Sequence, residues 1–300
     1  ICERRTAAKG SYVITDFTSS TPREAILVKR HCQINLYLPS TWRDEPMDYL
    51  PDLTDKVAIV TGGGKGIGRA IAFGLSKAGC KVIIAARTES EIQKAADDIT
   101  SGGGQAIAKV TDLTRNEDIL ELVETAVTAF GGIDILINNA ARSFFRPLLD
   151  LREDGFDKIF DTNVKAVFLL GRACAKVMMK QGGGRIVNIT TVGAERGGIM
   201  MGAYHASKAA LKMLTMCMAC EWAPLNILVN AVGPGMTRTH FSEPIWANPE
   251  IERQLVARVP QGRLAETDDI VGSVLFLCSD AAKFITGQSI YVDGGTLANT

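Results

Sequence analysis

Tyr204 and Lys208 are the two residues whose types and spacing most directly predict chemistry in this sequence. They lie four residues apart, so in a helix they would occupy one face, one turn from each other. A tyrosine hydroxyl has an ordinary pKa of about 10, and a neighbouring ammonium favours its ionised form. Lowering that pKa by about three units requires about 4 kcal/mol of stabilisation. The pair therefore predicts an acid/base that exchanges a proton with a substrate oxygen near neutral pH.

A glycine-rich segment, residues 61–68, gives weight to this pair, because the Tyr-x-x-x-Lys spacing by itself often arises by chance. The segment follows a strand-like run and precedes a helical pattern, whereas the glycines at 102–104 and 182–184 precede strand-like runs and predict turns. Glycines let the backbone approach a pyrophosphate, which then rests at a helix N-terminus. We therefore expect a dinucleotide whose nicotinamide exchanges hydride beside the tyrosine. The predicted phosphate-binding residues are Thr61, Gly62, Gly64, Lys65, Gly66, Ile67 and Gly68.

The end of the second strand-like run predicts which dinucleotide binds. An Asp or Glu about twenty residues past the glycines would accept a hydrogen bond from the adenosine ribose, but the sequence here is Ala85-Ala86-Arg87. Arg87 and Lys65 are expected to bind a 2′-phosphate together, at about 1.5–3 kcal/mol for each hydrogen bond to a charged group. The predicted cofactor is NADP(H), with NAD(H) the weaker alternative. The other interpretation makes both side chains solvated surface cations.

Apolar strands and amphipathic helices that would position these residues alternate along the chain from Lys56 onward. Short runs rich in valine and isoleucine, without polar alternation, indicate strands buried on both faces of a parallel sheet. The predicted strands are 56–61, 81–86, 106–110, 133–138, 185–189, 227–232 and 289–292, and the predicted helices are 66–78, 89–100, 116–130, 156–180, 206–222 and 267–278. The pattern predicts a Rossmann-like doubly wound α/β fold, with seven parallel strands and helices on both faces.

Residues 53–300 are predicted to form a single catalytic domain, whereas residues 1–52 show no sustained periodicity. Prolines at positions 39, 46 and 51 punctuate the join between the two parts. We expect residues 1–52 to be a poorly ordered extension. A second hypothesis places the natural start at Met47, which leaves open whether residues 1–46 belong to the mature protein.

Composition limits the classes of partner. The 300 residues carry 33 basic and 33 acidic side chains, a balance that argues against nucleic-acid or anionic-membrane partners. We see neither a run of eighteen apolar residues nor a secretory signal pattern, and the seven cysteines indicate reduced thiols in the cytoplasm. Cys217 and Cys220 form an isolated C-x-x-C within a helical pattern, which favours packing over zinc binding. With three histidines in the chain, we expect no metal site.

Several further motifs follow one another at consistent distances. They are Asp112 after the third strand, Asn138-Asn139-Ala140 after the fourth, Asn163, Pro234-Gly235 after the sixth, and the closing run Tyr291-Val292-Asp293-Gly294-Gly295. With the glycine-rich segment and the Tyr204–Lys208 pair, these motifs resemble the short-chain dehydrogenase/reductase family over about 240 residues, from Lys56 to Thr296. The combination of Lys65 with Arg87 is similar to the family's NADP-preferring members.

The resemblance implies a role for each matched position. Tyr204 would be the acid/base, Lys208 would lower its pKa and bind the nicotinamide ribose, and Asn163 would hold a water that links Lys208 to solvent. The other implied cofactor-binding residues are Asp112 (at the adenine), Leu113, Asn139, Ala140, Pro234, Gly235, Thr237 and Thr239 (at the nicotinamide carboxamide). The resemblance also implies a four-helix dimer interface formed by the helices at 156–180 and 206–222, and hence a homotetramer or homodimer.

Two positions depart from the family pattern. Thirteen residues before the tyrosine the family has a serine that orients the substrate carbonyl, and here that position is Thr191, with Thr190 beside it. A threonine keeps the hydroxyl donor and adds a methyl group, so we expect Thr191 to be catalytic. Ala141 replaces the last glycine of the family's Asn-Asn-Ala-Gly motif, and its Cβ is expected to crowd the cleft slightly without abolishing binding.

The leading hypothesis is an NADP(H)-dependent oxidoreductase that acts on a small-molecule carbonyl or secondary alcohol. Reduction of an enoyl or dienoyl thioester is the alternative among enzymes, and a non-catalytic dinucleotide sensor on the same fold is the alternative outside them. Substrate specificity is expected in residues 142–149, 197–201 and 236–263, which are rich in aromatic residues and methionine. That composition favours a hydrophobic carbonyl of medium size or, on the other interpretation, ordinary packing. Arg146 and Arg238 are the polar exceptions, and either could contact an acidic substrate.

Overall fold

The structure is a computed structural model that describes residues 51–299. The predicted N-terminal extension therefore lies outside the described residues, apart from Pro51 and Asp52, and so does the proposed start at Met47. Within the described part, no helix has the length and apolar character needed to cross a membrane.

Seven parallel strands form one sheet within residues 51–299, in the order β3-β2-β1-β4-β5-β6-β7. The strands are β1 Val57–Thr61, β2 Lys81–Ala86, β3 Gln105–Val110, β4 Ile135–Asn138, β5 Gly184–Ile189, β6 Ile227–Pro234 and β7 Ser289–Val292. Every residue of β1, β4 and β6 is buried, which explains why these runs lack polar alternation. The predicted Rossmann-like fold is confirmed.

Helices cover both faces of the sheet. Buried side chains of α1, α2 and α9 pack in one hydrophobic cluster, and those of α3, α5 and α6 pack in another on the opposite face. The α-helices of the described residues are α1 Gly66–Lys77, α2 Glu89–Ser101, α3 Asn116–Phe130, α4 Glu153–Phe160, α5 Ala166–Gln181, α6 Gly202–Trp222, α7 Glu243–Trp246, α8 Pro249–Val256 and α9 Thr267–Cys278.

The prediction of one unbroken helix over 156–180 is wrong. α4 ends at Phe160, a π-helical turn occupies Asp161–Lys165, and α5 then begins at Ala166. The backbone N–H of Ala166 donates to the carbonyl of Asp161, five residues earlier, so one extra residue is accommodated in this turn. The apolar periodicity of the sequence does not reveal one residue added to a helical turn, so the prediction missed the break. The sequence also gave no sign of the two short helices α7 and α8, which follow β6.

The strand order places the functional edge of the sheet. The chain moves outward from β1 through β2 to β3, and then crosses back so that β4 pairs with the other side of β1. In such a sheet a crevice opens beyond the carboxyl ends of the strands on either side of the reversal, and ligands bind there. The carboxyl ends of β1 and β4 carry the glycine-rich segment and Asn139, respectively.

Candidate active site

The glycine-rich segment, residues 61–68, joins the end of β1 to the first turn of α1. Gly62 and Gly66 have φ angles of +64° and +55°, which side chains rarely adopt. A Cβ at Gly68 would lie 2.3 Å from the carbonyl oxygen of Gly62, so α1 packs directly on the loop. No side chain caps the first N–H groups of α1, and such groups attract an anion. The segment therefore fits a dinucleotide pyrophosphate.

Asn139, at the end of β4, holds this loop in place. Its Nδ2 donates to the carbonyl of Thr61 at 2.9 Å, and the backbone N–H groups of Asn139 and Ala140 donate to the Thr61 hydroxyl at 3.0 and 3.1 Å. The Thr61 hydroxyl in turn donates to the carbonyl of Ile137 at 3.2 Å. These bonds fix the glycine loop to the neighbouring strand, so Thr61 and Asn139 have a structural task besides any contact with cofactor.

The two cations expected at the 2′-phosphate have different partners. Lys65 Nζ lies 2.8 Å from Glu91 Oε1 in an exposed ion pair, whereas Arg87 is exposed and has no salt bridge to any residue in the range 51–299. The backbone N–H of Thr114, its hydroxyl and the charge of Arg87 hold the pKa of Asp112 below its usual range, against the effect of burial. Arg87 therefore influences the charge of Asp112 without forming a salt bridge to it, whereas Lys65 has a carboxylate partner that the sequence analysis did not predict.

Two of the predicted cofactor-binding side chains face the interior. Ile67 packs against the hydrophobic cluster that contains α1, and Leu113 packs against the cluster on the opposite face. Any contact that these residues make with a dinucleotide would therefore come chiefly from their backbone.

Tyr204 and Lys208 lie in the first half of α6 and are 9% and 2% exposed. Lys208 Nζ donates to the carbonyl of Ile189 at 2.7 Å and lies 5.9 Å from the centre of the Tyr204 ring. Burial raises the pKa of Tyr204 and lowers the pKa of Lys208 to about 7. The lowered pKa that the sequence predicts for Tyr204 is therefore not found, because burial opposes the charged form of both groups. A phenolate at Tyr204 depends on the neighbouring ammonium for stabilisation.

Asn163 lies in the π-helical turn, and its side chain is fully buried. Its Oδ1 accepts from the backbone N–H of Arg142 at 2.8 Å, and its Nδ2 donates to the carbonyl of Arg142 and to the hydroxyl of Ser207, both at 2.9 Å. The Ser207 hydroxyl donates to the carbonyl of Tyr204 at 2.7 Å. Asn163 therefore links the segment after β4 to the start of α6. The water relay implied for Asn163 stays a prediction.

The two threonines after β5 have distinct environments. The Thr190 side chain is buried and donates to the carbonyl of Val232 at 3.1 Å, so it belongs to the sheet. Thr191 is half-buried, its hydroxyl accepts from the backbone N–H of Gly193 at 3.3 Å, and it lies 3.4 Å from the carbonyl of Pro234. Both of these bonds are long. The Thr191 hydroxyl is therefore held less tightly than that of Thr190, and the substrate contact implied for it stays a prediction.

The segment after β6 covers the site. The N–H of Gly235 donates to the carbonyl of Val292 at 2.9 Å, and the hydroxyl of Thr237 donates to the carbonyl of Gly235 at 3.1 Å. The Thr239 methyl lies 3.5 Å from the position that a Cβ on Gly66 would occupy, so Thr239 lies over the glycine-rich segment. The ring of Phe241 lies 5.9 Å from that of Tyr204, centre to centre.

Ser242 and Arg238 organise this covering segment, and the sequence singled out neither for that task. The Ser242 hydroxyl lies 3.0 Å from the Thr239 hydroxyl and accepts from Trp246 Nε1 at 3.0 Å. The guanidinium of Arg238 pairs with Glu252 and Glu266. Since two carboxylates already neutralise Arg238, the structure does not favour it as a contact for an acidic substrate.

His205 is another residue whose role in the candidate site was not predicted from the sequence. A Cβ on Gly193 would lie 2.4 Å from the imidazole ring and one on Gly198 would lie 2.5 Å from it, so the ring packs between two glycines of the segment after β5. Burial and the charge of Arg196 lower the pKa of His205, which favours the neutral ring. The side chain thereby holds this segment against α6, beside Tyr204. In the sequence, only Gly193 and Gly198 hint at this packing, and they could not be interpreted before the structure placed the His205 ring between them.

Comparisons with known proteins match this geometry to a family. The family model described as enoyl-(acyl carrier protein) reductase matches residues 62–296. Dehydrogenase/reductase SDR family member 4 of Bos taurus is 40% identical over 248 residues, which cover 82% of this chain and 89% of that protein. The 2-dehydro-3-deoxy-D-gluconate 5-dehydrogenase of Escherichia coli (strain K12) is 37% identical over 250 residues, which cover 82% of this chain and 97% of that protein.

A solved structure agrees with these sequence matches. The gluconate 5-dehydrogenase of Burkholderia cenocepacia J2315, in complex with NADP and tartrate, aligns with a TM-score of 0.80 at 31% identity and covers 83% of this chain and 97% of its own. The relatives are dehydrogenases or reductases, which supports a nicotinamide dinucleotide as the cofactor. The chain is an oxidoreductase that belongs to the short-chain dehydrogenase/reductase family.

Proposed function

We propose that the protein is an NADP(H)-dependent oxidoreductase that interconverts a carbonyl and a secondary alcohol, with Tyr204 as the acid/base. The observation that carries the proposal is the placement of Tyr204 and Lys208, one helical turn apart and both buried, on the same sheet edge as a loop shaped for a pyrophosphate. When bound, the dinucleotide supplies or accepts the hydride. Residues 61–68, Arg87, Asp112, Asn139 and residues 234–239 would hold it.

The residues of the chain supply the proton, orient the carbonyl and keep α6 in place. In the reducing direction the Tyr204 hydroxyl donates its proton to the carbonyl oxygen as charge develops there, and Lys208 stabilises the phenolate that remains. The Thr191 hydroxyl donates a hydrogen bond to the same oxygen and so orients the carbonyl. Asn163 keeps the start of α6 fixed against the segment after β4, through its bonds to Arg142 and Ser207.

The preference for NADP(H) is part of the proposal and depends on Arg87. No carboxylate occupies the tip of β2, and Arg87 there is exposed and unpaired among residues 51–299. A guanidinium binds a phosphate through two parallel hydrogen bonds. Lys65 contributes less than the sequence implied, because a 2′-phosphate would compete with Glu91 for its ammonium.

The substrate is proposed to be a small molecule with an apolar body. The ring of Phe241 adjoins that of Tyr204, and the side chains of Phe144 and Met200 are part exposed. The enoyl or dienoyl thioester alternative gains support from the description of the matching family model. The buried Tyr204–Lys208 pair supports carbonyl chemistry over it.

We also propose that the protein is cytoplasmic and forms a homotetramer or homodimer through α5 and α6. Both helices carry large apolar side chains that are partly exposed, as an interface between copies of this chain requires. These side chains are Phe168 and Met179 on α5 and Met213 and Met216 on α6.

Turnover by the Tyr204→Phe variant tests the proposed function. NADPH consumption by the purified protein is followed over ketones, aldehydes, 3-oxoacyl thioesters, enoyl thioesters and keto-sugar acids. We expect turnover of a carbonyl class that Tyr204→Phe abolishes, because phenylalanine has no proton to donate. NADPH binding, followed by fluorescence, should be unchanged in the variant. Turnover that survives in Tyr204→Phe, or turnover of enoyl thioesters alone, would overturn the proposal.

A further inference from the structure

A short turn connects the Thr191 hydroxyl to Glu195. The backbone N–H of Ala194 donates to the carbonyl of Thr191 at 3.0 Å, and that of Glu195 donates to the carbonyl of Val192 at 3.1 Å. The backbone N–H of Gly193 donates to the Thr191 hydroxyl at 3.3 Å. Because the turn is one hydrogen-bonded unit, we expect a shift at Glu195 to move the Thr191 hydroxyl as well.

The Glu195 carboxylate attaches this turn to two other elements. It accepts a hydrogen bond from the hydroxyl of Tyr291, in β7, and forms an ion pair with Lys212, in α6. The ammonium of Lys212 and the Tyr291 hydroxyl hold the pKa of Glu195 below its usual range, against a weaker effect of burial. Glu195 is therefore a carboxylate at neutral pH. Its side chain is only 30% exposed and that of Lys212 only 32%.

Both partners of Glu195 belong to the elements that form the proposed site. Lys212 lies one helical turn after Lys208 and two turns after Tyr204, so the three residues follow one face of α6. A Cβ on Gly233 would lie 2.5 Å from the ring of Tyr291, so this ring rests on β6 next to Pro234. The carbonyl of Pro234 is the group that faces the Thr191 hydroxyl.

We propose that Glu195 is a positioning residue, which uses Tyr291 and Lys212 to hold the Thr191 hydroxyl at a fixed distance from Tyr204. The inference rests on the proposed function, because it gives Glu195 a task only if Thr191 orients the substrate carbonyl. Glu195 does not touch the reacting atoms. The ion pair between Glu195 and Lys212 is partly exposed, and such a pair stabilises a protein by about 1 kcal/mol or less. The effect of Glu195 is therefore expected in catalysis rather than in stability.

Steady-state kinetics test this inference, with the carbonyl substrate that the NADPH-consumption assay identifies. We expect Glu195→Ala to lower kcat about tenfold, below the 10²–10³ that loss of an oxyanion donor costs, and to leave the KM for NADPH unchanged. Glu195→Gln should recover part of kcat, since its amide oxygen still accepts from Tyr291. Glu121→Ala is the matched control, because Glu121 also pairs with a lysine, Lys109, but lies on α3. It should behave as wild type.

A double-mutant comparison separates positioning from general damage. Thr191→Ser should stay active and Thr191→Ala should lose activity strongly, and adding Glu195→Ala to Thr191→Ala should have no further effect on kcat. Independent effects that multiply would overturn the inference, as would full activity of Glu195→Ala. Full activity of Thr191→Ala would also overturn it, while leaving the chemistry of Tyr204 intact. Loss of the proposed function itself would appear separately, as turnover that survives in Tyr204→Phe.

Hydrogen exchange provides a readout that needs no turnover. In Glu195→Ala the amides of Gly193 and Ala194 should exchange at least several-fold faster than in wild type, because their acceptors lie in the turn that Glu195 anchors. In Glu121→Ala they should exchange at the wild-type rate. Unchanged exchange in Glu195→Ala would show that the turn holds its position without the carboxylate, and the inference would fail.

Discussion

Replacing Lys208 by methionine should destroy activity and should stabilise the folded protein more at pH 6 than at pH 9. Lys208 is 2% exposed, and burial lowers its pKa from 10.5 to about 7. The folded protein therefore loses this proton near pH 7, whereas the unfolded chain keeps it up to about pH 10.5. Between these values the unfolded state binds more protons, so Lys208 makes wild-type stability rise with pH. Methionine removes this dependence.

The magnitude follows from the two pKa values. Each unit of pKa difference corresponds to about 1.4 kcal/mol, so a charged Lys208 destabilises the folded state by about 5 kcal/mol at pH 6. At pH 9 the cost falls to about 2 kcal/mol, since only the deprotonation of the lysine remains. The variant also loses the bond to the Ile189 carbonyl, at about 1–3 kcal/mol, but that loss is similar at both pH values. The advantage of Lys208→Met should therefore be about 3 kcal/mol larger at pH 6 than at pH 9.

Urea unfolding of the cofactor-free protein at pH 6 and pH 9, followed by tryptophan fluorescence, measures this difference. Groups common to both proteins cancel when the variant is compared with wild type. Lys77→Met serves as the matched control, because it makes the same substitution at an exposed lysine in α1. A difference between Lys208→Met and wild type that is the same at both pH values would refute the argument that burial depresses the pKa of Lys208.

Two further predictions concern the cofactor. Gly68→Ala should abolish NADPH binding measured by fluorescence titration, because its Cβ would lie 2.3 Å from the Gly62 carbonyl oxygen. The control Gly272→Ala, in a helix with open space around this position, should bind NADPH normally. Tight NADPH binding by Gly68→Ala would contradict the proposed role of the loop. Arg87→Ala should raise the Kd for NADPH about tenfold or more and leave the Kd for NADH unchanged, and an equal loss for both would mean that Arg87 does not read the 2′-phosphate.

The fold was predictable because it depends on local patterns, and the proposed chemistry rests on patterns of the same kind. Short valine- and isoleucine-rich runs lie in the buried strands of the sheet, and their alternation with amphipathic helices predicts a doubly wound topology. Tyr204 and Lys208 share a helical face through spacing alone. The glycine-rich segment was distinguishable from the other glycine clusters by the strand before it and the helix after it.

Contacts between distant parts of the chain decided what the sequence left open. Lys65 and Glu91 are 26 residues apart, and only their approach shows that Lys65 is already paired. The apolar periodicity predicted an unbroken helix through Asn163. In the structure Asn163 lies in a π-helical turn, and its side chain bonds to Arg142 and Ser207, which lie in other parts of the chain. The residue types alone predict neither the ion pair of Lys65 with Glu91 nor the hydrogen bonds of Asn163.

The sequence by itself therefore determined the family and the order of the strands along the chain, and it predicts the acid/base pair. The tertiary structure decided that Thr190 is buried in the sheet while Thr191 is only half-buried, and it brought Glu195 to Lys212. Glu195 is an unremarkable charged residue until the folded chain brings it to Tyr291, 96 residues away. The physical reason is that periodicity and spacing report interactions within one element, whereas hydrogen bonds and ion pairs between elements depend on where the sheet places them.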